Sequence, residues 1–393
     1  MRKQRVSLVT VTSLSVILAF FSGCGTVLKR IDSIKKRPDT YDQKPEAQTK
    51  VVANSSRVDN TRTLEALAIY SGNLIKKRKF EELNSKLDQA RTSQERLSGG
   101  YWKLYALFEG IATPNYNMNA TASEWEQHIS RLTEWKTAMP DAASPRIALA
   151  GAFVNYAFEA RGKDFVNKIS DDSMSTFLRR ATMAEEELLE AKQLTPKCPR
   201  WYETMLRVGL AQGWSHTKYN EVFEEGFQLT PTYYHLPRQK ITYLLPQWMG
   251  DPGDIAKFVN NVSSRMGGEE GSIIYYELSA TLWPEYHDQI WEKTGLDRQK
   301  VKDGYDTLTR IYGVDRYRKN LCMAMSLGIM SGGTPDPDLL EQSIKDVGND
   351  WDDEVWGTRE RFEERRTMML TAIESMKKSP NLHRSNSQVR PSR

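Results

Sequence analysis

The sequence predicts an all-α protein built of stacked antiparallel helical hairpins, and three observations carry that expectation. The first is helical period. In residues 173–194, Phe177, Ala181, Ala184, Leu188 and Ala191 fall at steps of 4, 3, 4 and 3, which places them on one stripe of an α-helix. The second is a repeat. Glu190-Ala-Lys-Gln-Leu-Thr-Pro196 aligns with Glu225-Gly-Phe-Gln-Leu-Thr-Pro231, five identities in seven at a spacing of 35. The register holds upstream, where Ala184 matches Tyr219 and Leu188 matches Phe223, and a small residue follows in both copies, Ala191 and Gly226. The third is the weakness of strand signals, for no run of alternating β-branched residues meets an Asn-Gly or Asp-Gly turn.

A repeat near 34 residues with helices ending in Leu-x-Pro is the mark of tetratricopeptide-like hairpins. Each such hairpin buries a stripe too narrow to be stable alone, so neighbours must stack. The run 63–111 fits the scheme. Leu64, Leu67, Tyr70 and Leu74 form one stripe, Phe80, Leu83 and Leu87 a second, and Trp102, Tyr105 and Phe108 a third. In 173–194, Asp172 or Ser173 is positioned to cap the helix and Pro196 to stop it. Residues 305–330 read as helical without a surviving repeat. The Gly99-Gly100, Gly267-Gly268 and Gly332-Gly333 pairs read as turns. The helical-repeat domain is expected over 61–376.

The ends differ in character. Arg2, Lys3 and Arg5 precede an apolar run from Val6 to Phe21, broken only by Ser and Thr, and Ser22-Gly23-Cys24 follows. The run is short for a membrane span and ends in small residues, as export signals do. It resembles a bacterial lipoprotein signal, with Phe21 where Leu is usual. By that resemblance residues 1–23 are removed and Cys24 carries lipid such as palmitate. An ordinary signal peptide and an uncleaved anchor remain the alternatives. Gly25 stands where an Asp would retain some lipoproteins at the inner membrane, so the expected location is the envelope, with the outer membrane preferred. Residues 24–60 are rich in Lys, Asp, Gln, Pro and Ser and read as a flexible tether. Residues 377–393 read as a disordered basic tail.

Bulk properties narrow the function. At 393 residues with 39% hydrophobic content, the chain is long enough for one large or two ordinary domains with a real core. Its formal charge is +4, and loss of Arg2, Lys3 and Arg5 leaves about +1, so nucleic acid is not an expected partner. Beyond Cys24 the cysteines are Cys198 and Cys322, read as buried free thiols, with a disulfide as the alternative in an oxidising compartment.

The central segment resembles a bacterial family, domain of unknown function 4034. Asn155-Tyr-Ala-Phe-Glu-Ala-Arg-Gly162, Cys198-Pro-Arg-Trp-Tyr-Glu-Thr-Met205 with Gly213-Trp214, and Tyr243-Leu-Leu-Pro-Gln-Trp-Met-Gly-Asp-Pro-Gly-Asp254 carry the resemblance. Phe80-Glu-Glu-Leu83 and Gly100-Tyr-Trp-Lys-Leu104 extend it over roughly residues 60–290. It implies a helical, repeat-like fold and no particular activity.

Chemistry-bearing motifs are sparse. His128, His216, His235, His287 and His383 include no pair at chelating spacing, and neither a metal nor a cofactor is expected. There is no Gly-x-Ser-x-Gly elbow. Acids sit near 159–172 (Glu159, Asp164, Asp171, Asp172) and at Asp251 and Asp254; the last reads as an N-cap for a helix over 255–262. Aromatic residues crowd 201–291 instead; most of these rings are expected to fill the spaces between stacked helices, and some to face the groove. Trp214, Tyr233, Tyr234 and Trp248 lie at or after the ends of the duplicated hairpin, where a solenoid's concave face would grip a partner with rigid rings. The reading is therefore a lipid-anchored binding or scaffolding module that holds a protein or peptide. The alternative is an all-α envelope enzyme that cleaves glycans with a carboxylate pair.

Overall fold

The computed structural model describes residues 60–116, 120–162, 169–194, 197–327 and 337–378. Cys24 with its signal, the tether up to residue 59, Asp164, Pro196, Gly332-Gly333 and residues 379–393 lie outside the described residues. Among the described residues there are seventeen α-helices and no strand; a single isolated bridge joins Arg96 to Trp102. The all-α class read from the sequence is the observed one.

The helices run α1 Asn60–Lys76, α2 Phe80–Ser93, α3 Lys103–Glu109, α4 Ala122–Ala138, α5 Ala143–Arg161 and α6 Asp171–Lys192. Next come α7 Pro199–Ala211, α8 His216–Leu229, α9 His235–Tyr243, α10 Asp254–Met266, α11 Gly268–Tyr286 and α12 Ile290–Thr294. The remainder are α13 Arg298–Tyr312, α14 Arg316–Leu327, α15 Pro337–Val347, α16 Asp353–Trp356 and α17 Arg359–Lys378. Each packs on its sequence neighbour from α5 to α11, and α5, α7, α9 and α11 also touch one another in that order. They form an inner row, with α6, α8 and α10 lying between them on the outer side.

Local sequence explains these elements. The buried residues of α6 are Phe177, Ala181, Ala184, Leu188 and Ala191, the stripe read from the period. Its cap is Ser170, whose side chain accepts the Ser173 N–H at 3.2 Å, two residues before Asp172 and three before Ser173. The equivalent face of α8 buries Tyr219, Phe223 and Gly226. Gly226 is small for a steric reason: a Cβ there would stand 2.7 Å from the Tyr202 ring of α7. On α1 the predicted stripe holds at Leu64 and Leu74, while Tyr70 turns outward, 36% exposed, and donates its hydroxyl to Glu82 of α2 at 2.7 Å.

The inner row does not leave an open concave face. Leu104 to Glu109 of α3 are all buried: the helix packs on α1 and α2, and its Glu109 and Tyr105 side chains reach Arg200 of α7 and His235 of α9. Along α7, Trp201 and Tyr202 face the outer helices: Trp201 Nε1 donates to the Leu188 carbonyl of α6 at 2.6 Å. Arg200 and Glu203 face the other way, and Arg200 meets Glu109 of α3 at 2.8 Å. The Gly99-Gly100 turn that leads into α3 reaches the far end of the array. Gly99 N–H donates to the Gly313 carbonyl at 2.9 Å, and both glycines are left-handed, at φ 75° and 72°. A Cβ on Gly99 would lie 2.4 Å from Arg318 Nη1, and one on Gly100 2.9 Å from the Tyr234 ring. The sequence marked a turn here; it did not show that the turn closes the array.

Candidate functional site

The four rings read as partner-binding divide into two kinds. Tyr233 and Tyr234 are 0% and 3% exposed, and Trp214 is 7% exposed. For these three the expectation of a groove-facing ring is corrected, since their contacts are internal. Trp102, just before α3, meets Tyr233 edge-on at 5.4 Å and donates Nε1 to the Thr232 carbonyl at 3.0 Å. The Tyr233 hydroxyl donates to Glu203 at 2.6 Å. Tyr234 donates to Glu270 at 2.5 Å while Arg96 lies over its ring at 4.6 Å. Trp214 donates Nε1 to Gln212 at 2.6 Å, and Lys218 lies over its ring at 3.5 Å. Rings placed to grip an extended segment do so, and for the two tyrosines the segment is the chain's own approach to α3.

Trp248 is the exception. It follows α9, keeps partial exposure, and has the Arg161 guanidinium 5.6 Å above its ring. Arg161 is the last residue of α5, and Gln247 next to Trp248 donates to Glu285 near the end of α11 at 2.8 Å. The ends of α5, α9 and α11 thus meet on one rim around Trp248.

The predicted acids are not brought together. Among the described residues no ion pair or shared side-chain partner brings the carboxylates of Glu159, Asp171, Asp172, Asp251 and Asp254 to one another. Asp171 and Asp172 occupy the first turn of α6, where the helix dipole favours negative charge. Asp254 is the first residue of α10; its N-cap is Gly253 at φ 88°, and the Asp254 carboxylate turns back to accept the Asp251 N–H at 3.0 Å. Glu159 is exposed near the end of α5, with its carboxyl raised by partial burial.

Cys198 and Cys322 are free and buried. Burial pushes the Cys198 thiol up to about 11, so it is protonated at neutral pH. Cys198 lies at a cleft of about 470 Å³ between α2 and the α4–α5 turn, with Glu81, Asp88 and Asp141. No group of three or more His, Cys, Asp or Glu among the described residues is arranged to hold a metal.

What sequence reasoning missed is a charged interior where α3, α7, α9, α11 and α14 converge. Arg200, 2% exposed, pairs with Glu109 at 2.8 Å and Glu203 at 3.1 Å. Arg318, 3% exposed, binds both oxygens of Glu277 at 2.8 and 3.0 Å and Asp315 at 3.0 Å. Between them His235 stacks on Tyr105, centroids 3.5 Å apart and planes 11° apart, with Tyr101 at 5.5 Å. Burial and the neighbouring Arg238, Arg200 and Arg318 hold the imidazole well below its ordinary range. Its Nε2 makes no hydrogen bond among the described residues. One signal was present in the sequence: Arg200 and Glu203 stand three apart inside a helix otherwise rich in Trp, Tyr, Met and Leu.

No helix among the described residues is long and apolar enough to cross a membrane. No protein-family model, no curated protein and no solved structure matches this chain.

Proposed function

We propose that the chain is an envelope lipoprotein, anchored through lipid on Cys24, whose helical array is a non-catalytic binding module for a protein or peptide. The observation that supports a surface for it is the Trp248–Arg161 pair. Of the four rings chosen for their position, Trp248 is the one that keeps partial exposure, and it sits where three inner helices end. An aromatic ring beside a guanidinium is the composition that recurs at binding hot spots. The α3 segment occupies the inner face, so the rim replaces the concave groove as the partner-facing surface. The kinship with the family named above remains part of this reading and rests on residues 155–162, 198–205 and 243–254.

Two measurements test it. Cys24→Ser should move the protein from the membrane to the soluble fraction, since acyl chains on one Cys supply the two anchors that stable attachment needs. A Ser variant that stays membrane-bound would defeat the anchor. A photo-reactive amino acid at position 248 should give a discrete crosslinked species in intact cells, absent when Arg161→Ala is added in a protein with an unchanged melting temperature. Carboxylate-dependent release of sugar from peptidoglycan would overturn the binding reading in favour of an enzyme.

A further inference from the structure

The first turn of α5 opens onto the cleft at Cys198, and it is uncapped. Its N-cap is Ala142, whose side chain cannot accept a hydrogen bond, and the third residue of the helix is Pro145. The Ala143 and Ser144 N–H groups have no partner within the helix, and none outside it among the described residues. Ser144 adds a hydroxyl. The residue is 9% exposed, it lines the cleft, and its side chain makes no hydrogen bond among the described residues. Three donors thus stand at the cleft without a protein acceptor.

The opposite wall carries the other sign. Glu81, Asn84, Asp88 and Arg91 follow at steps of 3, 4 and 3, one stripe of α2, and all four line the cleft. Asp88 is engaged by Asn84 at 3.0 Å and by Arg91 at 3.3 Å. Glu81, and Asp141 on the α4–α5 turn, are exposed and enter no ion pair or hydrogen bond among the described residues. Three carboxylates against one guanidinium leave the lining net negative.

The two walls together define the occupant. A simple anion would meet the carboxylates, and a simple cation would leave the α5 donors unserved. The ligand must carry a cation and an acceptor oxygen on one unit. A Lys or Arg residue in a peptide has both, a charged side chain and a backbone carbonyl. There is room for more than one residue. Glu81, Asn84 and Asp88 border the cleft of about 470 Å³ and also a shallow hollow of about 670 Å³ on α2, where Ser85, Gln89 and Thr92 continue the polar lining.

We propose that this cleft binds a short basic peptide, with a Lys or Arg side chain at Glu81 and Asp141 and a peptide carbonyl at the Ala143–Ser144 end of α5. The Trp248 rim lies at the other end of the same helix, about 28 Å away along its 19 residues. Failure of either surface therefore leaves the other untouched.

Isothermal titration of the full chain in a non-ionic detergent, at constant ionic strength, tests this with three probes. Acetyl-trilysine amide carries both features, spermidine the positive charge alone, and acetyl-triglycine amide the carbonyls alone. The lysine peptide should bind saturably below roughly 1 mM, at least about fivefold tighter than either control. Glu81→Gln together with Asp141→Asn should weaken it about fivefold at an unchanged melting temperature, because only exposed groups are altered. Ser144→Ala should weaken the lysine peptide about threefold and leave spermidine where it was. No saturable binding, either control matching the peptide, or an unchanged affinity in the acid variant would each overturn the proposal. So would a Ser144→Ala variant that weakens peptide and spermidine alike. The acid variant decides the case even where Ser144→Ala folds poorly.

Discussion

Arg318 and Glu277, forty-one residues apart, meet through two parallel hydrogen bonds of 2.8 and 3.0 Å with both side chains 3% exposed. The same guanidinium lies 4.1 Å over the ring of Tyr101, so this pair is where the approach to α3 is held against α11 and α14. Gly99 presses on it from the Tyr101 side. The contact ties three separate stretches of sequence into one interior.

Gly99 is the residue on which that closure is most exposed to mutation. Gly99→Ala adds a Cβ at 2.4 Å from Arg318 Nη1 in a backbone already at φ 75°. The expected loss is roughly 2–4 kcal/mol, from left-handed strain together with the clash. Gly295 is the control: it is left-handed at φ 67° with no atom within 4 Å of a Cβ, so Gly295→Ala should cost about 1 kcal/mol. Urea denaturation of the two variants compares them directly, and equal losses would show that Gly99 does not hold the closure.

Arg200 should behave as a buried ion-pair centre. Arg200→Met strands Glu109 and Glu203 without their cation, at an expected cost of about 3–5 kcal/mol. Arg78→Ala breaks an exposed pair with Glu134, whose side chains are 58% and 40% exposed, and should leave the denaturation midpoint close to the parent's. Chemical denaturation midpoints at constant slope are the readout. An Arg200→Met variant as stable as the parent would mean that the two acids are protonated in the fold.

Acid should weaken the fold through its histidines. His128 donates Nε2–H to the Ile111 carbonyl at 2.9 Å, and burial brings its imidazole down to about 4. The unfolded chain takes up that proton near pH 6.5, so between 6.5 and about 4 it binds more protons than the folded chain. Stability is then full above 6.5 and is lost as pH falls through that window. His235, also held low, acts in the same direction. The check is melting temperature against pH. His128→Gln keeps a donor for Ile111 and should flatten the acid slope; an unchanged slope would assign the loss to other groups.

Periodicity was legible wherever burial follows a stripe. The α6 residues Phe177 to Ala191 and the matching faces of α8 came from spacing alone, because a helix that packs on one side must repeat its apolar residues every three or four positions. Tyr70 departed because its hydroxyl found Glu82 on the next helix. The site was harder to read. Tyr233 and Tyr234 have the chemistry of partner-gripping rings and do grip a segment, but no local pattern reveals that residues 96–109 of the same chain lie against them. Arg200 and Arg318 looked like ordinary helix-surface charges, since Glu109 and Glu277, which bury with them, stand on other helices. Glu277 is forty-one residues from its arginine, beyond any window in which charge pairing is visible.

The seating of α3 changes how the array should assemble. A linear row of hairpins has mostly neighbour contacts, can be shortened by a repeat, and gains structure from whichever unit forms first. Here Glu109 waits for Arg200, Tyr105 for His235, and Gly99 for the turn at Gly313. These contacts raise the mean sequence separation of native pairs, which slows folding and couples the units into one transition. Removing the last hairpins would therefore leave α3 without its far support while its apolar residues are already made. The repeats are local in sequence, but the protein they build should melt as a whole.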